Sequence, residues 1–148
     1  MLKAGDIAPD FTLPTHQGVE LALASLRGRK VLLWFFPEAG TPGCTAEGRG
    51  FRDQQNYFDE NNIQVLGASF NSVEENAAFA AAQAFTFPLL SDSTRSVALA
   101  YGACGTAKER YPERISFLID EAGRIERVYD QVDPRDHAAR VLADVLGV

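Results

Sequence analysis

Of the side chains able to act as nucleophiles, the two cysteines, Cys44 and Cys104, are intrinsically the strongest. Only Cys44 lies in a setting that would activate it. It closes the stretch Pro37-Glu38-Ala39-Gly40-Thr41-Pro42-Gly43-Cys44. Thr41 suits the N-cap of a helix, and Pro42 suits the first helical position. Gly43 and Cys44 then fall in the first turn, where backbone N–H groups have no partner inside the helix. A thiolate placed there gains those donors and the positive end of the helix dipole. The chemistry this favours is attack by sulfur on an electrophile.

The flanking elements put Cys44 at that helix end. Val31-Leu32-Leu33-Trp34-Phe35-Phe36 is a continuous apolar run rich in β-branched and aromatic residues, which predicts a strand buried on both faces. After Cys44 the pattern becomes helical, with Phe51, Tyr57 and Phe58 as its apolar marks, fading near Asn61-Asn62. Upstream, an alternating segment 8–13 and Val19-Glu20-Leu21 flank His16-Gln17-Gly18, a hairpin signal. Leu23 to Leu26 reads as one helical turn stopped at Gly28.

Downstream, 63–70 is a second interior strand. Asn71 or Ser72 caps a helix running to about Ala84, with Glu75 completing a capping box. Phe87-Pro88-Leu89-Leu90 is a short strand whose proline suits an end or edge. A helix beginning at Ser91 or Asp92 runs to Tyr101, and 103–113 is a loop. Arg114 to Asp120 is a third strong strand, turned by Glu121-Ala122-Gly123 into 124–129. Asp133-Pro134 opens a last helix marked by Ala138, Val141, Leu142 and Val145. These β-α-β units and the terminal hairpin and helix predict an α/β three-layer sandwich with a mixed central sheet and an N-terminal hairpin. That architecture is thioredoxin-like.

The 148 residues suit one domain spanning 1–148, a length able to bury about 70% of its unfolded surface. The net charge of -6 speaks against a nucleic-acid partner. No apolar run approaches the roughly 20 residues of a membrane span, and the first residues show no apolar signal region. The expected location is the cytoplasm. No His/Cys/Asp/Glu spacing reads as a metal site, and no phosphate loop or nucleotide fingerprint is present, so neither metal nor cofactor is expected.

Three segments carry a resemblance: 5–11, the Pro37-to-Cys44 stretch, and 113–120, in order and nearly spanning the chain. Together they resemble the peroxiredoxin family, most closely its Q-type or bacterioferritin-comigratory branch. There a strand is followed by Pro-x-x-x-Thr-x-x-Cys, often ending Thr-Pro-Gly-Cys-Thr, as at 41–45 here. The resemblance implies thiol-dependent reduction of hydrogen peroxide and organic hydroperoxides, an antioxidant activity, through a sulfenic acid on Cys44. It makes Cys44 the peroxidatic cysteine, has Pro37 and Thr41 shape its pocket, and makes Arg114 the active-site arginine.

Elementary chemistry asks for more than an acidic thiol. A thiol of ordinary pKa, near 8.5, is only about 3% thiolate at pH 7. Lowering a pKa to ~6 raises that fraction roughly 30-fold but lowers nucleophilicity about 10-fold. The net gain is about threefold, so the remaining acceleration must come from groups that align the peroxide and stabilise the leaving oxygen. Thr41, the amides of Gly43 and Cys44, and the Arg114 guanidinium are one of each suitable kind. Blander roles stand beside these: Cys44 as a core residue, Thr41 as a cap alone, Arg114 as a solvated strand-end charge. Glu47 either stabilises the first helical turns or orients Arg114 by pairing with it. Trp34, Phe35 and Phe36 read as core, and His16 and His137 as surface residues.

Many Q-type members carry a second cysteine five residues after the first; here that position is Arg49. Cys104 is the remaining candidate resolving cysteine, against a one-cysteine cycle with an external thiol. The implied partners are a peroxide and a thioredoxin, glutaredoxin or small-thiol reductant, acting on a monomer or homodimer. Two other readings compete. One is a thiol-disulfide oxidoreductase, disfavoured because Thr41 stands where a Cys-x-x-Cys pair would begin. The other is a redox-inactive binding or chaperone module on the same scaffold.

Overall fold

A computed structural model describes residues 2–147. Its centre is β3 (Lys30–Phe35), whose Val31–Phe35 are all buried, as a strand covered on both faces must be. Two elements precede it: the antiparallel hairpin of β1 (Thr12–Pro14) and β2 (Glu20–Ala22), and a 3-10 turn at Leu23–Leu26. After it come α1 (Pro42–Asp53), α2 (Gln55–Glu60), β4 (Ile63–Ser69), α3 (Val73–Gln83) and β5 (Leu89–Ser91). The chain closes with α4 (Ser96–Tyr101), β6 (Ser116–Ile119), β7 (Ile125–Tyr129) and α5 (His137–Leu146).

Five strands form one mixed sheet in the order β5-β4-β3-β6-β7. β3 runs parallel to β4 and antiparallel to β6, and Pro88 immediately precedes the edge strand β5. Successive β3 residues serve opposite faces. Leu32, Trp34 and Phe36 pack with Phe51, Phe58, Phe79 and Val141, beneath α1, α2, α3 and α5. Val31, Leu33 and Phe35 pack with Phe11, Leu13, Leu23, Val97 and Tyr101, beneath the hairpin and α4. Burying each large side chain of these clusters contributes about 1.5–3 kcal/mol. The three-layer, thioredoxin-like arrangement with its N-terminal hairpin is therefore present.

Helix boundaries depart from the sequence expectation in three places. The helix after Cys44 breaks at Gln54 instead of running through to Asn61. α4 begins at Ser96, five residues later than Ser91. Arg95 takes a left-handed turn, and the Asp92 carboxylate reaches forward to the Val97 and Ala98 amides at 3.2 and 2.8 Å. α5 starts at His137, because Asp133 turns back onto Arg135, accepting from its amide and its guanidinium, and leaves Asp136 as N-cap. Ser72 caps α3 with Glu75 as expected, each side chain accepting the other's amide.

Candidate active site

The β3–β6 register pairs Trp34 with Ser116, and Phe35 donates its amide to Ile115 O at 2.9 Å. Continuing that register two residues brings Arg114 level with Phe36, on the face that also holds Cys44. Cys44, in the first turn of α1, is fully buried. Two donors converge on its sulfur: the Glu38 amide at 3.5 Å and Arg114 Nη2 at 3.7 Å. Arg114 Nη1 also donates to Glu47 Oε1 at 2.7 Å. One guanidinium thus spans the thiol and a carboxylate one helical turn beyond it. Burial works against the Arg114 charge, but the Glu47 bond and the neighbouring negative groups outweigh it, and its pKa rises.

Glu47 has no side-chain exposure, and its Oε2 has no partner. Burial pushes its pKa up to about 7, and the Arg114 hydrogen bond and charge hold it from rising further. Of the two readings of Glu47, the pairing with Arg114 is the one with a contact.

Gly43 explains the close approach. A Cβ at Gly43 would lie 2.9 Å from Arg114 Nη2, so any side chain there displaces the guanidinium.

Thr41 occupies the N-cap position with extended backbone, but its hydroxyl does not cap the helix. Oγ1 instead donates to Glu38 O at 2.7 Å, which corrects the expectation that this hydroxyl caps the helix. The first-turn amides of Gly43 and Cys44 therefore receive no acceptor from Thr41. With its proton committed to Glu38, the Thr41 oxygen offers lone pairs to a donor. The loop carrying these groups is pinned by Asn71, whose Oδ1 accepts the Ala39 amide at 2.9 Å. Asn71 read only as a candidate helix cap; its place just past parallel β4 is the signal that it faces the β3 loop.

Pro37 is half-buried and walls a small cavity beside the loop. Cys104 is buried in the opposite cluster, with Phe35, Tyr101 and Ala103, while Cys44 belongs to the Trp34 cluster. The sheet separates them, and burial and neighbouring acidic groups push the Cys104 thiol pKa up.

The histidines are not the surface residues expected. His137 is 2% exposed, with Nε2 2.8 Å from Ser116 Oγ and its ring edge-on to Phe51 and Tyr129. Burial depresses its pKa to about 4. His16 is half-buried and accepts the Leu89 amide at Nδ1, 3.0 Å. Polar sequence neighbours misled here, since each ring is buried by a different segment. No helix among the described residues is long and apolar enough to cross a membrane.

The model of the AhpC/TSA family matches residues 4–128 of the chain. Peroxiredoxin Bcp of Escherichia coli K12 is 40% identical over 146 residues, covering 95% of this chain and 94% of that protein. The crystal structure of peroxidoxin BcpB from Mycobacterium tuberculosis superposes with a TM-score of 0.92 at 34% identity, covering 100% and 99% of the two chains. A Xanthomonas campestris bacterioferritin comigratory protein, studied for alkyl peroxide reduction in trapped intermediate and ligand complexes, gives 0.89 at 29% identity over 97% and 98%.

Proposed function

The chain belongs to the AhpC/TSA family and is a thiol-dependent peroxidase of the peroxiredoxin type, and from that premise we propose that Cys44 is the sulfur that attacks the peroxide. The observation that carries this is the convergence of the Glu38 amide and Arg114 Nη2 on one buried sulfur. The Cys44 thiolate attacks the nearer peroxide oxygen in line with the O–O bond. That bond breaks, Cys44 becomes a sulfenic acid, and the leaving oxygen departs as hydroxide or alkoxide and takes up a proton. Arg114 and the Gly43 and Cys44 amides stabilise the charge growing on the leaving oxygen. The Thr41 oxygen accepts the peroxide hydroxyl hydrogen and sets its angle, and Pro37 limits water in the pocket.

Hydrogen peroxide and organic hydroperoxides are the proposed substrates, an antioxidant role. The alkyl peroxide reduction studied in the Xanthomonas campestris bacterioferritin comigratory protein supports that class. For recycling we favour a one-cysteine cycle with an external thiol over resolution by Cys104, because the two sulfurs belong to clusters on opposite faces of the sheet. A single domain over 1–148 is supported by the Ile7–Arg124 bridge, which ties the N-terminal segment to the far end of the chain. A cycle that consumes external thiols fits the reducing cytoplasm.

Cys44→Ser tests the assignment: it should abolish peroxide consumption with every reductant, while Cys104→Ala consumes peroxide normally. Turnover in Cys44→Ser would overturn it.

A further inference from the structure

A cavity of about 150 Å³ lies between the Pro37-Glu38 turn and the 103–113 loop. Arg95, Arg110, Tyr111, Glu38 and Glu75 are among the residues that line it, and Glu75 Oε1 already accepts the Ser72 amide at 2.9 Å. Among the described residues neither arginine is in an ion pair. Arg95 is nonetheless held in place. Its Nε donates to Glu109 O at 3.0 Å, its Nη1 to Ser93 O at 2.7 Å, and its guanidinium sits 4.6 Å over the Phe70 ring. Its backbone is left-handed, with φ of 66°, a strained state for a side chain of this size and one that clusters at ligand sites. The Arg110 guanidinium lies 5.2 Å over the Tyr111 ring.

Two arginines and two glutamates lining one cavity suit a ligand that carries both charges on neighbouring atoms, such as the α-carboxylate and α-ammonium of an amino acid. The volume equals about five water molecules at ~30 Å³ each, enough for one such head group. A larger groove of about 470 Å³ adjoins it, sharing Glu38, Asn71 and Glu75, and has room for the rest of a short peptide. Glu38 lines both spaces, and its amide touches Cys44 Sγ. The cavity therefore borders the residue whose backbone amide donates to the reacting sulfur.

We propose that this cavity anchors the amino-acid head group of a small zwitterionic thiol, cysteine itself or a peptide thiol, which reduces oxidised Cys44. The proposal rests on Cys44 being the peroxide-reactive thiol and on recycling by an external reductant. The anchored thiolate attacks Cys44 Sγ of the sulfenic acid. An S–S bond forms, the S–O bond breaks, and hydroxide leaves as water after taking a proton. A second thiol then attacks the reductant's sulfur in the mixed disulfide, releasing the oxidised reductant as a disulfide and restoring the Cys44 thiolate. Two thiols supply the two electrons.

The test forms the sulfenic acid with one equivalent of hydrogen peroxide and follows its reduction by stopped-flow. Four thiols are compared: cysteine, N-acetylcysteine, cysteamine and 2-mercaptoethanol, each corrected for its thiolate fraction. Cysteine should be faster than N-acetylcysteine and cysteamine, which each lack one charge, by about tenfold, the worth of one charge-assisted bond, and faster than 2-mercaptoethanol, which lacks both, by about a hundredfold. Arg110→Gln should slow cysteine by about tenfold while leaving reduction by 2-mercaptoethanol and oxidation by hydrogen peroxide unchanged. Equal corrected rates for the four thiols would overturn the proposal, as would an Arg110→Gln variant that slows all of them alike. The same holds if Arg110→Gln spares reduction but slows oxidation by a carboxylate-bearing hydroperoxide, since the cavity would then serve the peroxide. Failure of hydrogen peroxide to oxidise Cys44 at all would instead strike the underlying assignment of Cys44.

Discussion

Replacing Glu47 by Gln should remove a pH dependence of stability that the wild type carries through neutrality. Glu47 is wholly buried, bonded to Arg114 through one oxygen and unpartnered at the other. Its pKa rises from 4.5 to about 7 on folding. A carboxyl whose pKa is higher in the folded state holds its proton there while the unfolded chain has released it. Its stabilising contribution is therefore complete below pH 4.5 and is lost as pH rises through 7. At about 1.4 kcal/mol per pH unit, the whole loss is about 3 kcal/mol, of which about 2 kcal/mol falls between pH 5.5 and 8.5. Glutamine has nearly the same shape, keeps an oxygen for Arg114 Nη1 and does not titrate. Urea unfolding of the reduced proteins at pH 5.5, 7 and 8.5 gives the comparison, because every other titrating group is common to both and cancels. Between pH 5.5 and 8.5 the stability of Glu47→Gln relative to wild type should rise by about 2 kcal/mol. Parallel pH curves would refute the reasoning and show that the Arg114 ion pair keeps Glu47 ionised throughout.

Three further outcomes follow from the site and its surroundings. Gly43→Ala should change stability by no more than about 1 kcal/mol, since the position is helical. It should nevertheless slow the reaction of reduced protein with peroxide by about tenfold or more, because the new methyl group displaces Arg114 Nη2; an unchanged rate in stopped-flow would count against the Arg114 contact. His137 is buried neutral with its pKa depressed to about 4, so its contribution is complete above pH 6.5 and is lost as pH falls toward 4, by about 3 kcal/mol. His137→Gln should flatten that acid limb in thermal melts, and a limb of unchanged depth would exclude His137 as its source. Cys104→Ala should leave peroxide turnover unchanged, and non-reducing peptide maps of oxidised wild type should contain no Cys44–Cys104 link; finding that link would establish Cys104 as the resolving thiol.

Local features were legible from the residues alone. The apolar run 31–36 identified the central strand because a strand covered on both faces has no polar side to alternate with. The Ser72 and Glu75 pair identified the start of α3 because both bonds of a capping box close within four residues. The Thr41-Pro42-Gly43-Cys44 run placed Cys44 in a first helical turn because proline is favoured at the first helical position, where its missing N–H costs nothing. The tertiary structure decided everything that depends on strands and segments distant in sequence. Arg114 meets Cys44 and Glu47 across 70 and 67 positions because β6 runs antiparallel beside β3 in one particular register, which no local pattern encodes. The Thr41 hydroxyl turns to Glu38 and not to the helix because the loop, held by Asn71 beyond β4, presents that carbonyl. His137 is buried because α5 packs onto the face where Ser116 and Phe51 already lie, and an imidazole among polar neighbours gives no sign of it. Cys44 and Cys104 fall on opposite sides of the sheet because alternate residues of β3 serve opposite faces and the intervening helices divide between them. Periodicity reports which side of its own element a residue occupies; which element covers that side is fixed only when the sheet assembles.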